Sequence, residues 1–325
     1  MKFLKNLSTK TNGFDLSRIG TGTMRIAANQ QAGIETIHTA LDSGVNFLNT
    51  ADFYAHGTSE MIIQEALKSH TREDVFISVK FGGMISPDGQ FYGIDSRPEH
   101  VKNYLAYTLK RLGTDYVDLY QPARIDPRIP VEDTIGAVAD MVKAGYVKSI
   151  GISEVDGATL RKANAVHPIS LVEVRYSLMD RHIEDDLLPT ARELGVGIVA
   201  FNVMLAGMIG GNAPEQKLSA MKHLSAKAFD NISTNLSAAD ALKEIAREKG
   251  ITLAQLAIAW VLAQGEDIIA LVGSRTVAQI TDSLKAIDVK LNANDLKKIE
   301  QLIPKAQATS SYMLDMNLDK NGLFI

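Results

Sequence analysis

The stretch IETIHTALDSGVNFLNTADFY, residues 34–54, holds one full turn of the pattern that organises this chain. Its first eleven residues read as a helix. Gly44 closes it, because glycine takes the left-handed C′ conformation without a Cβ penalty. VNFLN then reads as a short strand. That strand ends not in more apolar residues but in Asn49, Thr50, Asp52 and Tyr54. A buried strand that finishes in a polar cluster calls for a site at its C-terminal end.

The same cycle recurs along the chain. LSRIGTGTM, residues 16–24, supplies a first strand ahead of the helix just described. SEMIIQEALKS has helical spacing of Met61, Ile62, Ala66 and Leu67, and DVFISVK, residues 74–80, is an unbroken β-prone run of the kind buried on both faces. RPEHVKNYLAYTLKRLG precedes YVDLYQP, and VEDTIGAVADMVKAG precedes VKSIGIS. GATLRKANAV, SLVEVRY, EDDLLPTARELG, VGIVAFN, a long helical region from about Ser237 to Gln264, DIIALVG and TVAQITDSLKAI complete the series. Eight strand and helix pairs with right-handed crossovers predict a closed (β/α)8 barrel, a TIM barrel, over residues 1–325 as one domain. An open doubly wound sheet is the alternative, but no G-x-G-x-x-G follows the first strand. Residues 1–15, with Asn12 and Gly13 as a turn signal, are expected to form an N-terminal hairpin under the barrel. Residues 206–236 read as a long loop after strand seven, and 303–325 as an irregular tail.

Composition removes several function classes. The 325 residues carry 34 Lys and Arg against 38 Asp and Glu, a formal charge of −4, so no broad basic face is offered to nucleic acid. With 46% hydrophobic residues there is material for a large core, and no run approaches a membrane span of roughly 20 apolar residues. The absence of cysteine excludes disulfides, thiolate metal sites and a cysteine nucleophile. MKFLKNLSTKTNG holds no apolar run of signal-peptide length, so a cytoplasmic location is expected. No metal site is read from the sequence, and oligomeric state is not legible in it.

In such a barrel the functional face lies at the C-terminal ends of the strands. Lys80 ends the apolar strand FISVK, where its ammonium needs a partner or must be desolvated. Beside a tyrosine it would stabilise the phenolate left when that tyrosine gives a proton to a substrate oxygen. A lysine that only snorkels to the barrel mouth is the alternative. GSRT, residues 273–276, leads from the last strand into a helix, where free backbone N–H groups and Arg275 suit an anion; an ordinary helix cap with a solvated arginine has the same sequence.

Together these pieces resemble the aldo-keto reductase superfamily, in a bacterial branch of it. The resemblance rests on IGTGTM, GVNFLNTADFY followed by SE, FISVKFG, RLGTDYVDLYQ, MVKAGYVKSIGIS, VRYSL, AWVLAQ and GSRTVAQI, in that order. It implies NADPH bound across the top of the barrel, hydride transfer to the carbonyl carbon of a small-molecule substrate, and a tyrosine that protonates the oxygen. Of the family's four catalytic positions, the tyrosine falls on Tyr54 and the lysine on Lys80. The aspartate position holds Asn49 and the histidine position holds Ala123. Cofactor positions fall on Ser153 and Glu154, where the family commonly has Ser-Asn, and on Glu173, where it has Gln. Phe201 matches the stacking tyrosine; Gly273, Ser274, Arg275 and Gln279 match the phosphate end; Asp282 and Ser283 match a Glu-Asn pair near the adenine.

These departures carry expectations of their own. Without the aspartate, Lys80 requires another counter-charge, for which Glu173 is a candidate, and a poorly compensated buried lysine is more easily neutral. Glu154 and Glu173 would add negative charge near an anionic cofactor. His56 and Arg124 are candidates to replace the histidine, and Arg124 and Arg175 to hold an anionic substrate. The leading expectation is an NADPH-linked carbonyl reductase with an altered tetrad. A non-redox lyase or isomerase, and a catalytically silent binding barrel, are the alternatives.

Overall fold

The computed structural model describes residues 6–8, 15–204, 240–308 and 319–324. An antiparallel hairpin comes first: β1 (Asn6–Ser8) pairs with β2 (Asp15–Ser17), Leu7 opposite Leu16. The second strand therefore runs past residue 15, and Leu16 and Ser17 belong to the hairpin and not to the first barrel strand; the Asn12–Gly13 turn lies outside the described residues.

Eight parallel strands follow: β3 (Ile19–Gly22), β4 (Phe47–Ala51), β5 (Phe76–Phe81), β8 (Val117–Pro122), β9 (Val147–Ser153), β10 (Ile169–Arg175), β11 (Gly197–Phe201) and β12 (Ile268–Gly273). They pair in chain order, and β12 closes on β3 through Ala270 opposite Ile19, giving a TIM barrel. Helices such as Gln30–Asp42, Pro98–Leu112 and Val131–Lys143 surround it. Among the described residues no helix is long and apolar enough to cross a membrane.

The two faces of each strand bury different things. Outward residues such as Leu48, Ile77, Val79, Ile150, Val172 and Ile198 join the large core under the helices. Inward residues near the strand starts, Phe47, Phe76, Leu119, Leu171, Val199 and Ile269, form a separate apolar floor, which Leu16 of the hairpin completes. Gly20 lines this floor because a Cβ there would stand 2.5 Å from Phe47 Cδ1. A bulky ring fits inside a narrow barrel only where its neighbour has no side chain.

Three elements differ from the sequence expectation. The helical region 237–264 is two helices: residues 240–248 are helical, Gly250 turns the chain at φ 65°, and a Thr252–Gln255 capping box opens a second helix at Leu253–Ala263. A second hairpin, β6 (Gly83–Ile85) with β7 (Phe91–Ile94), rises from the loop after β5. The end of the C-terminal tail is not irregular: Ile94 N donates to Gly322 O at 2.9 Å and Phe324 N to Tyr92 O at 3.0 Å, seating it on that hairpin. The expected loop 206–236 lies outside the described residues.

Candidate active site

Inward residues recur with period two, so the residue two places after each floor residue points into the barrel one layer higher. Phe47 is followed by Asn49, Phe76 by Ser78 and then Lys80, Leu119 by Gln121, and Leu171 by Glu173. Above an apolar floor the sequence thus builds a polar layer from four strands. Its members are buried: Glu173 is 3% exposed and Lys80 4%.

The layer is a closed network around one ion pair. Lys80 Nζ donates to Glu173 Oε1 at 3.0 Å and also to Asn49 Oδ1. Asn49 Nδ2 donates to Glu173 Oε2 at 2.7 Å and to Ser78 Oγ at 3.2 Å. Gln121 Nε2 donates to the same Glu173 oxygen at 2.6 Å. Asn49 therefore works as an amide in both senses, its oxygen toward the ammonium and its nitrogen toward the carboxylate. Burial pulls the Lys80 pKa down, but Glu173, and then Tyr54, more than offset this and hold it above the ordinary lysine value. Glu173, the candidate counter-charge, reaches Lys80 from across the barrel, so Lys80 is not the poorly compensated lysine that would be easily neutral.

Tyr54 stands above this pair, in the loop that leaves β4, and Lys80 Nζ lies 5.3 Å from its ring centroid. Phe53 packs edge-on to Tyr54 at 5.1 Å and stacks on Phe91 of β7 at 5.6 Å, and Phe91 meets Phe324 at 5.1 Å. The second hairpin and the chain terminus thus supply an aromatic wall beside the tyrosine. His56 does not join the site. It is exposed, its Nε2 is 3.0 Å from Ser86 O, and it follows Ala55 in left-handed backbone at φ 55°.

At the end of β8, next to β5, Ala123 N donates to Phe81 O at 2.8 Å, and the side chain at this position is a buried methyl. Arg124 folds back over it: Nη1 donates to Ala123 O at 2.6 Å and to Ser153 Oγ at 3.4 Å. Glu154, left-handed at φ 53°, accepts from Arg175 N at 2.7 Å and from Arg175 Nε at 2.8 Å. Both carboxylates expected to burden a bound anion are therefore paired, Glu173 with Lys80 and Glu154 with Arg175.

At the end of β12, Gly273 and Arg275 are exposed and a Cβ at Gly273 would meet nothing within 4 Å. Ser274 is buried, and its Oγ has no hydrogen-bond partner among the described residues. Thr276 caps the helix Val277–Leu284, and Gln279 Oε1 accepts from Arg275 N at 2.9 Å. Phe201 packs at the top of the barrel's inner cluster. Asp282 is engaged elsewhere: it accepts from Thr252 Oγ1 at 2.9 Å and from Gln255 Nε2 at 2.7 Å, tying two helices together.

The family profile described as Aldo/keto reductase family matches residues 18–304. The chain belongs to the aldo/keto reductase family. A relative in Glycine max, named probable aldo-keto reductase 1, is 35% identical over 303 residues, covering 90% of this chain and 87% of that one. A thermostable aldo-keto reductase solved with the inhibitor epalrestat superposes with a TM-score of 0.73 at 29% identity, over 92% of this chain and 99% of that one. An aldo-keto reductase from Klebsiella pneumoniae solved in complex with NADPH gives 0.73 at 21%, over 93% and 95%.

For an aldo/keto reductase barrel, the unforeseen parts of this mouth are Ser78 and the wall of Phe53, Phe91 and Phe324. The SPDGQFYGI segment, residues 86–94, held the signal for the hairpin in its Pro87-Asp88-Gly89 turn. Behind the wall lies a further buried group. Asp52 N donates to Lys80 O at 2.9 Å, and its carboxyl pKa is pushed up to about 8 by burial and by the nearby Glu60. Glu60 pairs with Arg111 and is itself raised by burial.

Proposed function

We propose that this protein is an NADP-dependent oxidoreductase that reduces an aldehyde or ketone to an alcohol, with Tyr54 as the proton donor. The observation that carries the reading is the Lys80–Glu173 pair beneath Tyr54. In the family pattern the carboxylate stands at position 49 and the carboxamide at 173; here Asn49 and Glu173 hold the same two groups with their positions exchanged. Lys80 has one carboxylate and one amide oxygen as partners, so its charge is supported.

The residues present suit the nucleotide at its phosphate end. The unpartnered buried hydroxyl of Ser274, the open space at Gly273 and the exposed Arg275 stand at the start of a helix, where backbone N–H groups favour anions. Arg275 suits the 2′-phosphate that separates NADPH from NADH. Phe201 offers a face for the nicotinamide ring. When bound, the cofactor supplies the hydride. The Klebsiella pneumoniae neighbour solved with NADPH lends support to this choice of nucleotide.

The chain's own residues do the proton chemistry. Tyr54 donates its phenolic proton to the carbonyl oxygen as negative charge gathers there. The Lys80 ammonium steadies the phenolate left behind. Glu173 keeps the ammonium charged, and Asn49, held by both, fixes the geometry between them. Phe53, Phe91 and Phe324 narrow the water access to Tyr54 from one side.

The lyase or isomerase reading asks Glu173 to act as a free base, and its two oxygens already accept three hydrogen bonds, one of them from an ammonium. The reductase reading is therefore preferred. Fluorescence titration with NADPH, followed by its oxidation in the presence of a panel of aldehydes and ketones, tests it. Failure of the folded protein to bind NADPH, or tight binding with no carbonyl turned over, overturns it; the latter result is that of a silent barrel.

A further inference from the structure

Among the described residues, Arg124 is a partly buried guanidinium at the mouth of the barrel that lacks a hydrogen-bonded carboxylate. Lys80 has Glu173 at 3.0 Å and Arg175 has Glu154 at 2.8 Å. Asp180, which stands 3.9 Å from Arg175, is held at 2.6 Å by His182. Arg124 reaches Glu154 only at 4.0 Å, at the outer limit of an ion pair, because both oxygens of that carboxylate already accept from Arg175.

Its hydrogen bonds go to neutral oxygens alone, Ala123 O and Ser153 Oγ, both through Nη1. The side chain is 16% exposed, and the remaining donors on Nε and Nη2 have no hydrogen-bond partner among the described residues. Burial lowers its pKa, Glu154 opposes that, and Arg175 adds a further repulsion; Glu173 and Tyr54 are among the charges it senses. A partly buried guanidinium with spare donors in a planar fork, which senses the charge of the proposed proton donor, matches a carboxylate.

The nucleotide's phosphates do not explain it. Arg124 follows β8, whereas Ser274 and Arg275 follow β12, and these two strands stand opposite each other in the closed order of eight. The anion that fits Arg124 is therefore a second one, on the substrate side.

Resting on the reductase reading above, we propose that the substrate is a carbonyl compound bearing a carboxylate, and that Arg124 binds this carboxylate. Arg175 is spoken for by Glu154 and serves to keep that acid away from Arg124.

The test compares benzoylformate, a 2-oxo acid, with its uncharged methyl ester, which has the same ketone and ring. Isothermal titration calorimetry in the presence of NADP+ is expected to find the acid bound roughly ten- to hundredfold more tightly than the ester by the wild-type protein. Arg124→Gln is expected to abolish this preference and Arg124→Lys to retain part of it, since the charge remains while the fork is lost. Equal affinity of the wild type for acid and ester overturns the inference, as does a preference for the acid that survives in Arg124→Gln. The wild-type comparison stands even if the glutamine variant does not fold. Under turnover, the acid-to-ester ratio of KM should change with the same substitutions. If no carbonyl of the panel consumes NADPH, the reductase reading fails on its own, and the binding comparison still decides the carboxylate site.

Discussion

Lys80 Nζ and Glu173 Oε1 stand 3.0 Å apart across the barrel, one from β5 and one from β10, and Asn49 of β4 bridges them through both ends of its amide. The side chains of the pair are 5% and 4% exposed, so neither charge can turn to water for help. Removing one partner of such a pair strands the other.

Glu173→Gln is therefore expected to destabilise the fold by about 3–5 kcal/mol, with the stranded Lys80 losing its charge more readily. Asn49→Asp alone should also destabilise, because it sets a second carboxylate where Asn49 Nδ2 now donates at 2.7 Å to Glu173. The two together restore one carboxylate and one amide and should recover most of the loss. Urea unfolding of all four proteins gives the coupling. A double variant no more stable than the worse single one would show that the exchange of positions does not hold.

Tyr54→Phe keeps the ring that packs against Phe53 and removes only the proton donor. Turnover of any carbonyl substrate is expected to fall by about 10²–10⁴-fold, with NADPH affinity and unfolding midpoint little changed. Steady-state kinetics and cofactor titration on the same preparation check this, and retention of turnover would assign the proton to another group.

Asp52 predicts a pH dependence of stability. Its carboxyl is raised in the folded protein to about 8 by burial and by Glu60, above the ordinary value of 3.8. The folded state thus holds a proton that the unfolded chain has released, and this contribution is full below the ordinary value and lost as pH rises to about 8. Asp52→Asn, which cannot ionise, should be more stable than wild type at alkaline pH, with the difference growing across that window and levelling off above it. Thermal unfolding over a pH series measures it; a difference that shrinks with rising pH would contradict the assignment.

Arg275→Ala tests the phosphate end. KM for NADPH should rise about tenfold while KM for NADH stays nearly constant, since only the former has a 2′-phosphate to lose a charged contact. A parallel rise for both nucleotides would mean that Arg275 supports the loop and not the phosphate.

The barrel was legible in the sequence because its signal is local and repeated: IETIHTALDSGVNFLN sets helix, stop and strand by spacing and by Gly44, and seven further units say the same. The placing of Tyr54, Lys80 and the GSRT turn at strand ends was legible too, since the same local pattern sets where each strand stops. The hairpin at residues 83–94 left a turn signal, but the role of Phe91 and Phe324 depends on a terminus over two hundred residues away in the chain closing onto it.

What the sequence could not decide is who neutralises whom. Asn49 reads as the loss of a charge and Glu173 as no more than a candidate to replace it, because positions 124 residues apart carry no distance between them. Only closure of the barrel brings β4, β5 and β10 to the same inner layer, where direct contact in a water-poor interior turns two separate departures into one ion pair. The same closure saturates Glu154 with Arg175 and leaves Arg124 without a hydrogen-bonded carboxylate. Residue type and period determined the strands and the layer each side chain would occupy; the pairing of charges across the mouth was decided by tertiary structure, since electrostatic compensation acts through space and not along the chain.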